Sequence, residues 1–220
     1  MELMPAGPLG FDALARTWDE DAARTERARA LAAAIAERVP LQDHWVAMDY
    51  GCGTGTLSLL LASRLARVVA VDNAQGMLDV LSEKLRAAGV ANVETRCLDL
   101  TTQAPPAEQF DFVVSSMALH HISDPASLVL RLGGLLRSGG YMAIADLEAE
   151  DGSFHGEGVG DVHHGFSEQQ MRSFLVAAGL STVAVSVAHV MVRRGSEGAV
   201  REYPVLLATG RKVCSHGDVS

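Results

Sequence analysis

The chain of 220 residues is poor in cysteine: it has three, at unrelated spacings. That argues against a disulfide framework and against a zinc finger. It also lacks any apolar run long enough to span a bilayer, although 48% of its residues are apolar, so no membrane partner is expected. Clustered Lys and Arg are missing and the formal net charge is -9, which disfavours a nucleic-acid partner, since phosphate binding needs a basic face. Met1 to Gly10 shows neither the basic flank nor the apolar stretch of a secretory leader, and a cytoplasmic location is expected. Repeats and low-complexity segments are absent. What remains is a chain sized for one α/β domain with its own core.

The most informative stretch present is Asp49-Tyr50-Gly51-Cys52-Gly53-Thr54-Gly55-Thr56. A short apolar segment before it reads as a strand, and Leu57 to Ala62 after it reads as a helix. Glycines there let the backbone turn and let a ligand approach closely, while the helix start offers unpaired amides. A dinucleotide loop places glycines first, third and sixth. Here they fall first, third and fifth, and Asp49 stands two residues ahead of them. A carboxylate at that point repels a pyrophosphate but suits an ammonium, which disfavours a nicotinamide oxidoreductase. The expected ligand is a nucleoside carrying a cationic amino-acid group. A second acid, Asp72, closes the apolar run Arg67 to Val71 at about the distance a ribose ligand requires.

The loop resembles the first motif of the class I S-adenosylmethionine-dependent methyltransferases, an acid-x-Gly-x-Gly-x-Gly turn. Further matches follow in order: Asp72 with Met77 after it, Asp99 closing a third strand, Phe110 to Ser116 leading into Met117 to Pro125 with its His-His-Ile, and Leu136-Arg137-Ser138-Gly139-Gly140 before a fifth strand. The resemblance covers residues 45 to about 210. It implies that S-adenosylmethionine is the cofactor and S-adenosylhomocysteine the product, and that the acceptor is a small molecule. It further implies that Asp49, Gly51, Cys52, Gly53 and Gly55 hold the methionine part and that Asp72 and Asn73 serve the ribose. Met77, Leu98, Asp99 and Leu100 would frame adenine, with Ser115 and Ser116 at the end of the fourth strand. A non-catalytic adenosyl-nucleoside-binding module of the same fold is the alternative.

Ahead of this unit, residues 1–44 read as a helical cap. Phe11, Leu14, Ala15 and Trp18 share one helical face, and Asp19 or Asp21 can start a second helix that Pro40 ends. The cap is either a helix packed on the domain or a lid that brings Trp18 to the substrate. After the fifth strand, Leu147 to Phe166 forms a glycine- and histidine-bearing loop at the sheet edge where ligands bind. His155 is a substrate-contact candidate, and one of His163 or His164 is expected to face the substrate as acid or base. His121 is expected beside the donor and His120 in packing. A metal site is not expected, since the i, i+4 histidine spacing is missing. In-line placement can supply most of the rate without a base.

Leu180 to Val192 and Tyr203 to Thr209 read as two strands joined without a helix, hence an antiparallel hairpin. The expected fold is α/β and Rossmann-like, doubly wound, with a seven-stranded, mostly parallel sheet and a C-terminal antiparallel strand. Residues 45–220 form the S-adenosylmethionine-binding unit. Neither the acceptor nor the oligomeric state can be read from the sequence.

Overall fold

Strand segments that are apolar on both sides must be covered on both sides, and alternate residues here go to opposite helical layers. The structure, a computed structural model, describes residues 8–155, 163–194 and 199–213. Its strands are β1 (Val46–Tyr50), β2 (Arg67–Asp72), β3 (Val93–Cys97), β4 (Phe110–Ser116), β5 (Leu136–Leu147), β6 (Leu180–Arg194) and β7 (Val200–Lys212). They form a seven-stranded sheet in the order β3-β2-β1-β4-β5-β7-β6. The strands from β3 to β5 pair in parallel, and β7 runs antiparallel to both β5 and β6. The expected hairpin and reversed strand are therefore present.

The helices are α1 (Pro8–Leu14), α2 (Ala22–Arg38), α3 (Thr56–Ala62), α4 (Gln75–Ala88), α5 (Pro125–Gly134) and α6 (Glu168–Ala177). Ala47, Val68 and Phe112 face a core filled by Leu31 and Ile35 of α2, Leu61 of α3 and Leu81 of α4. Their neighbours Met48, Val69 and Val113 face Leu128 and Leu132 of α5 and Met171 of α6. Asp21 caps α2 by accepting from Ala23 N, and Ser167 with Gln170 closes a capping box on α6. None of the helices in the described residues is long and apolar enough to cross a membrane.

Two local readings change. The segment from Phe11 to Asp19 is not one helix: α1 gives way to a 3-10 turn, Ala15–Glu20. Ser138-Gly139-Gly140 does not precede the fifth strand but lies inside β5, where the register shifts against β4. A Cβ on Gly140 would sit 2.9 Å from the Asp111 carbonyl, so the glycine lets β5 hug its neighbour. Residues 156–162 of the histidine-bearing loop, 195–198 of the hairpin connection and the two termini lie outside the described residues.

Because the chain leaves β1 toward β2 on one side and β4 on the other, a crevice opens at their carboxyl ends. The glycine loop fills its floor. Gly55 precedes α3 with φ +74°, and a Cβ there would lie 2.2 Å from Leu81 Cδ1. Gly55→Ala should therefore lower unfolding free energy by roughly 2–5 kcal/mol, from left-handed backbone cost plus overpacking. A urea titration checks this, and an unchanged midpoint would show that α4 yields freely.

Candidate functional site

The glycine loop is tied to β2 before any ligand is considered. Gly51 N and Cys52 N both donate to the Val71 carbonyl, at 2.8 and 3.0 Å. At the end of β2 the two oxygens of Asp72 accept from Gly53 N (2.8 Å) and Ala74 N (2.9 Å). Burial raises the Asp72 pKa against these hydrogen bonds. On β1, Asp49 is buried and accepts from Ser58 Oγ at 2.5 Å. Burial pushes its pKa to about 7, with the charge of Asp72 adding to the shift and Ser58 opposing it. A carboxyl group poised in this way gains most from a cation arriving beside it.

Above the loop lies a cavity of about 220 Å³. The structure brings Asp49, Gly51, Cys52, Gly53, Asp72, Asn73, Met77 and Ser116 to its wall, together with Trp18, His121 and His155. Other expected residues lie elsewhere. Gly55 is buried beneath Leu81. Leu100 is in the core, its N–H donating to Tyr50 Oη, and Leu98 packs on the same core. The Asp99 carboxylate accepts from both N and Oγ1 of Thr101. Ser115 is buried with its hydroxyl unpartnered. His163 and His164 are not in the cavity wall: the His163 ring lies against Phe166, and its N–H donates to the His120 carbonyl.

The N-terminal segment borders the cavity with Phe11, Trp18 and Asp19 and is held there by polar contacts. Asp12 Oδ1 accepts from Gly76 N at 2.6 Å, at the start of α4. Asp19 accepts from Thr54 Oγ1 (2.8 Å) on the glycine loop and from Lys84 Nζ (2.9 Å) on α4. Phe11 and Trp18 then pack with Ala15, Ala74 and Met77. The first part of the cap thus covers the crevice, while α2 is part of the main core.

Sequence reasoning missed the far wall. Arg24, Arg27 and Arg193 all line the cavity. Desolvation lowers the Arg27 pKa to about 10, Arg24 adding to it. Arg27 Nη1 donates to Met191 Sδ at 3.2 Å, and sulfur is a weak acceptor. The i, i+3 spacing of Arg24 and Arg27 on α2 was the available signal, but only the fold adds Arg193. Missed as well was Asp146, at the carboxyl end of β5. It is fully buried and bonds His120 Nδ1 at 2.5 Å, Leu119 N at 2.9 Å and Leu147 N at 2.7 Å. Burial pushes Asp146 upward, but His120 and the hydrogen bonds outweigh it and the net shift is downward. The backbone at Met117 takes φ +56°, which a bulky side chain rarely adopts, as the chain turns from β4 over Gly51. His121 and His155 stand beside His120, and desolvation with its neighbouring charge lowers their pKa values to about 3 and about 4.

With this geometry in hand, likeness to other proteins can be read. The model of a family described as Methyltransferase domain matches residues 47–140. An uncharacterized methyltransferase of Schizosaccharomyces pombe is 34% identical over 154 residues, 63% of this chain and 54% of the relative. The chain spans about half the length of the curated relatives it matches. A chain from the complex between the Haloferax volcanii Trm112 methyltransferase activator and a methyltransferase superposes with a TM-score of 0.73 at 19% identity, over 92% of this chain and 97% of that one. Haemonchus contortus phosphoethanolamine N-methyltransferase 2, in complex with S-adenosyl-L-methionine, superposes at 0.68 and 19% identity, over 83% and 52%. At such identities the structural likeness is one of fold.

Asp146→Asn turns an amide toward donors that now meet a carboxylate. The expected loss of stability is roughly 3–5 kcal/mol, as for removing one partner of a buried pair. Chemical denaturation measures it, and a loss under 1 kcal/mol would mean the pair is dispensable.

Proposed function

We propose, from the premise that this chain carries a class I methyltransferase domain, that it is an enzyme binding S-adenosylmethionine in the cavity over the glycine loop. Its methyl passes to a small-molecule acceptor, releasing S-adenosylhomocysteine. The observation that carries this reading is the meeting of Asp49, Gly53, Asp72 and Met77 on one wall of a single cavity. In this reading Asp49 faces the ammonium side of the donor, Asp72 accepts from the ribose hydroxyls, and Met77 lies against the adenine. A cytoplasmic setting goes with it.

The opposite wall suggests what the acceptor looks like. Arg27 is set deep, and among the described residues no carboxylate comes within ion-pair distance of it. Such a guanidinium suits a carboxylate or phosphate on the acceptor. His121, in the same wall at the end of β4, is kept neutral and can accept a proton from a hydroxyl or an amine. Most of the rate comes from holding nucleophile, methyl carbon and sulfur in line.

Calorimetric titration with S-adenosylmethionine tests the donor site. Binding is expected, and none at millimolar donor overturns the reading. Asp72→Ala should weaken it more than tenfold, since a lost charged acceptor costs about 1.5–3 kcal/mol. The pH dependence follows from Asp49. Its raised pKa means that the empty site holds a proton below about pH 7, and that proton must leave when a cation binds. Donor affinity should therefore rise from about pH 5.5 to 7, with proton release on binding in that range. Asp49→Asn should flatten the profile, and a wild-type profile already flat would remove Asp49 from the ammonium site.

A further inference from the structure

We propose that His120, His121 and His155 form a three-imidazole site for a divalent transition metal of the zinc type, with one coordination position open to the cavity. The three residues come from two segments: the 3-10 turn Leu119–His121 after β4, and the loop that follows β5. One nitrogen from each ring lies within 4.8 Å of the others. Tetrahedral zinc, with Zn–N of 2.0–2.1 Å, needs them about 3.4 Å apart. χ2 is a broad torsion in histidine, and the His155 ring, which no hydrogen bond holds, is free to turn toward the others.

Several features separate this cluster from histidines that merely fill space. His120 Nδ1 is engaged by buried Asp146, which fixes its tautomer and leaves Nε2 as the free atom. That is the carboxylate–histidine arrangement that orients metal-ligating imidazoles. His155 is 8% exposed, yet both its ring nitrogens are buried without a hydrogen-bond partner. Native structures rarely leave a buried polar side chain in that condition without an ion or water to satisfy it. The loop is also anchored so as to hold His155 inward. Phe154 N donates to Glu150 Oε2 at 3.0 Å, the Phe154 ring meets Tyr203 with 5.2 Å between centroids, and the Arg193 guanidinium lies 3.8 Å above it. The ring centroids of His120 and His121 stand 4.0 Å apart, and those of His120 and His155 stand 5.0 Å apart. Burial and mutual proximity favour neutral imidazoles here, the form that binds a metal.

Three imidazoles with a fourth position open is the composition of catalytic rather than structural zinc sites, and imidazole also suits Co²⁺, Ni²⁺ and Cu²⁺. Asp146 offsets part of the ion's charge. Arg27 and Arg193, in the same wall, favour an anionic group at the open position. Use of that position by the oxygen of an anionic acceptor rests on the methyl-transfer reading. Metal binding does not.

The full chain, stripped with chelator, is titrated with Co²⁺ and followed by visible absorption. Zn²⁺ affinity is measured by competition with a chromophoric chelator. The expected result is one Co²⁺ per chain, with ligand-field bands between about 500 and 650 nm as for low-coordinate Co²⁺ with nitrogen ligands. His155→Ala and His121→Ala should each weaken Zn²⁺ binding by more than a hundredfold, whereas exposed His44→Ala leaves it unchanged. Circular dichroism and the urea midpoint establish that each variant is folded. Absence of stoichiometric binding at millimolar metal, or binding retained in His155→Ala and His121→Ala, overturns the proposal. Donor binding without metal binding would refute only the metal site, and metal binding without donor binding would refute only the methyl-transfer reading.

Discussion

The glycine loop is gripped from two directions, and the position of everything around the cavity follows from that grip. Ala118, at the turn after β4, stands 2.5 Å from where a Gly51 Cβ would lie, and Leu81 of α4 stands 2.2 Å from a Gly55 Cβ. Neither neighbour could be so close if these positions carried side chains. Their closeness brings the end of β4, with His120 and His121, and the start of α4, with Met77, over one crevice. Gly53, between them, has only Trp18 Nε1 at 4.0 Å and faces open space. Within the loop, Gly55 serves packing, Gly53 the cavity, and Gly51 both.

How much of this could be read beforehand depends on how far apart in the chain the partners lie. The loop, Asp72, the caps on α2 and α6 and the terminal hairpin were legible because each is written in a few neighbouring residues. Met77 and Asp49 reach the cavity as their spacing from the loop suggested. Leu98, Asp99 and Leu100 do not line it, because Tyr50 draws the backbone of Leu100 into the core and Asp99 turns back onto Thr101. The histidines show the limit most clearly. His163 and His164 looked alike to His155 in a loop without periodicity. Yet residues 149, 150 and 166 zip the base of that loop, and the zip directs only His155 inward. Likewise Arg27 and Arg193 meet only because β6, at the edge of the sheet, runs beside α2.

The cavity lining carries both signs of charge: Asp49 and Asp72 beside the glycine loop, and the guanidinium groups of Arg27 and Arg193. Burial works against charge on both: it holds Asp49 partly protonated and weakens the proton affinity of Arg27. A cation beside Asp49 and an anion beside Arg27 would each offset that penalty.

The N-terminal segment is fastened beside the cavity by three hydrogen bonds that two aspartates accept, Asp12 from Gly76 N and Asp19 from Thr54 Oγ1 and Lys84 Nζ. All three end on the glycine loop or on α4, so the N-terminal segment is tied to the floor of the cavity. One of the fastenings is a partly exposed ion pair, so dissolved salt reaches it and weakens the hold of the N-terminal segment on α4.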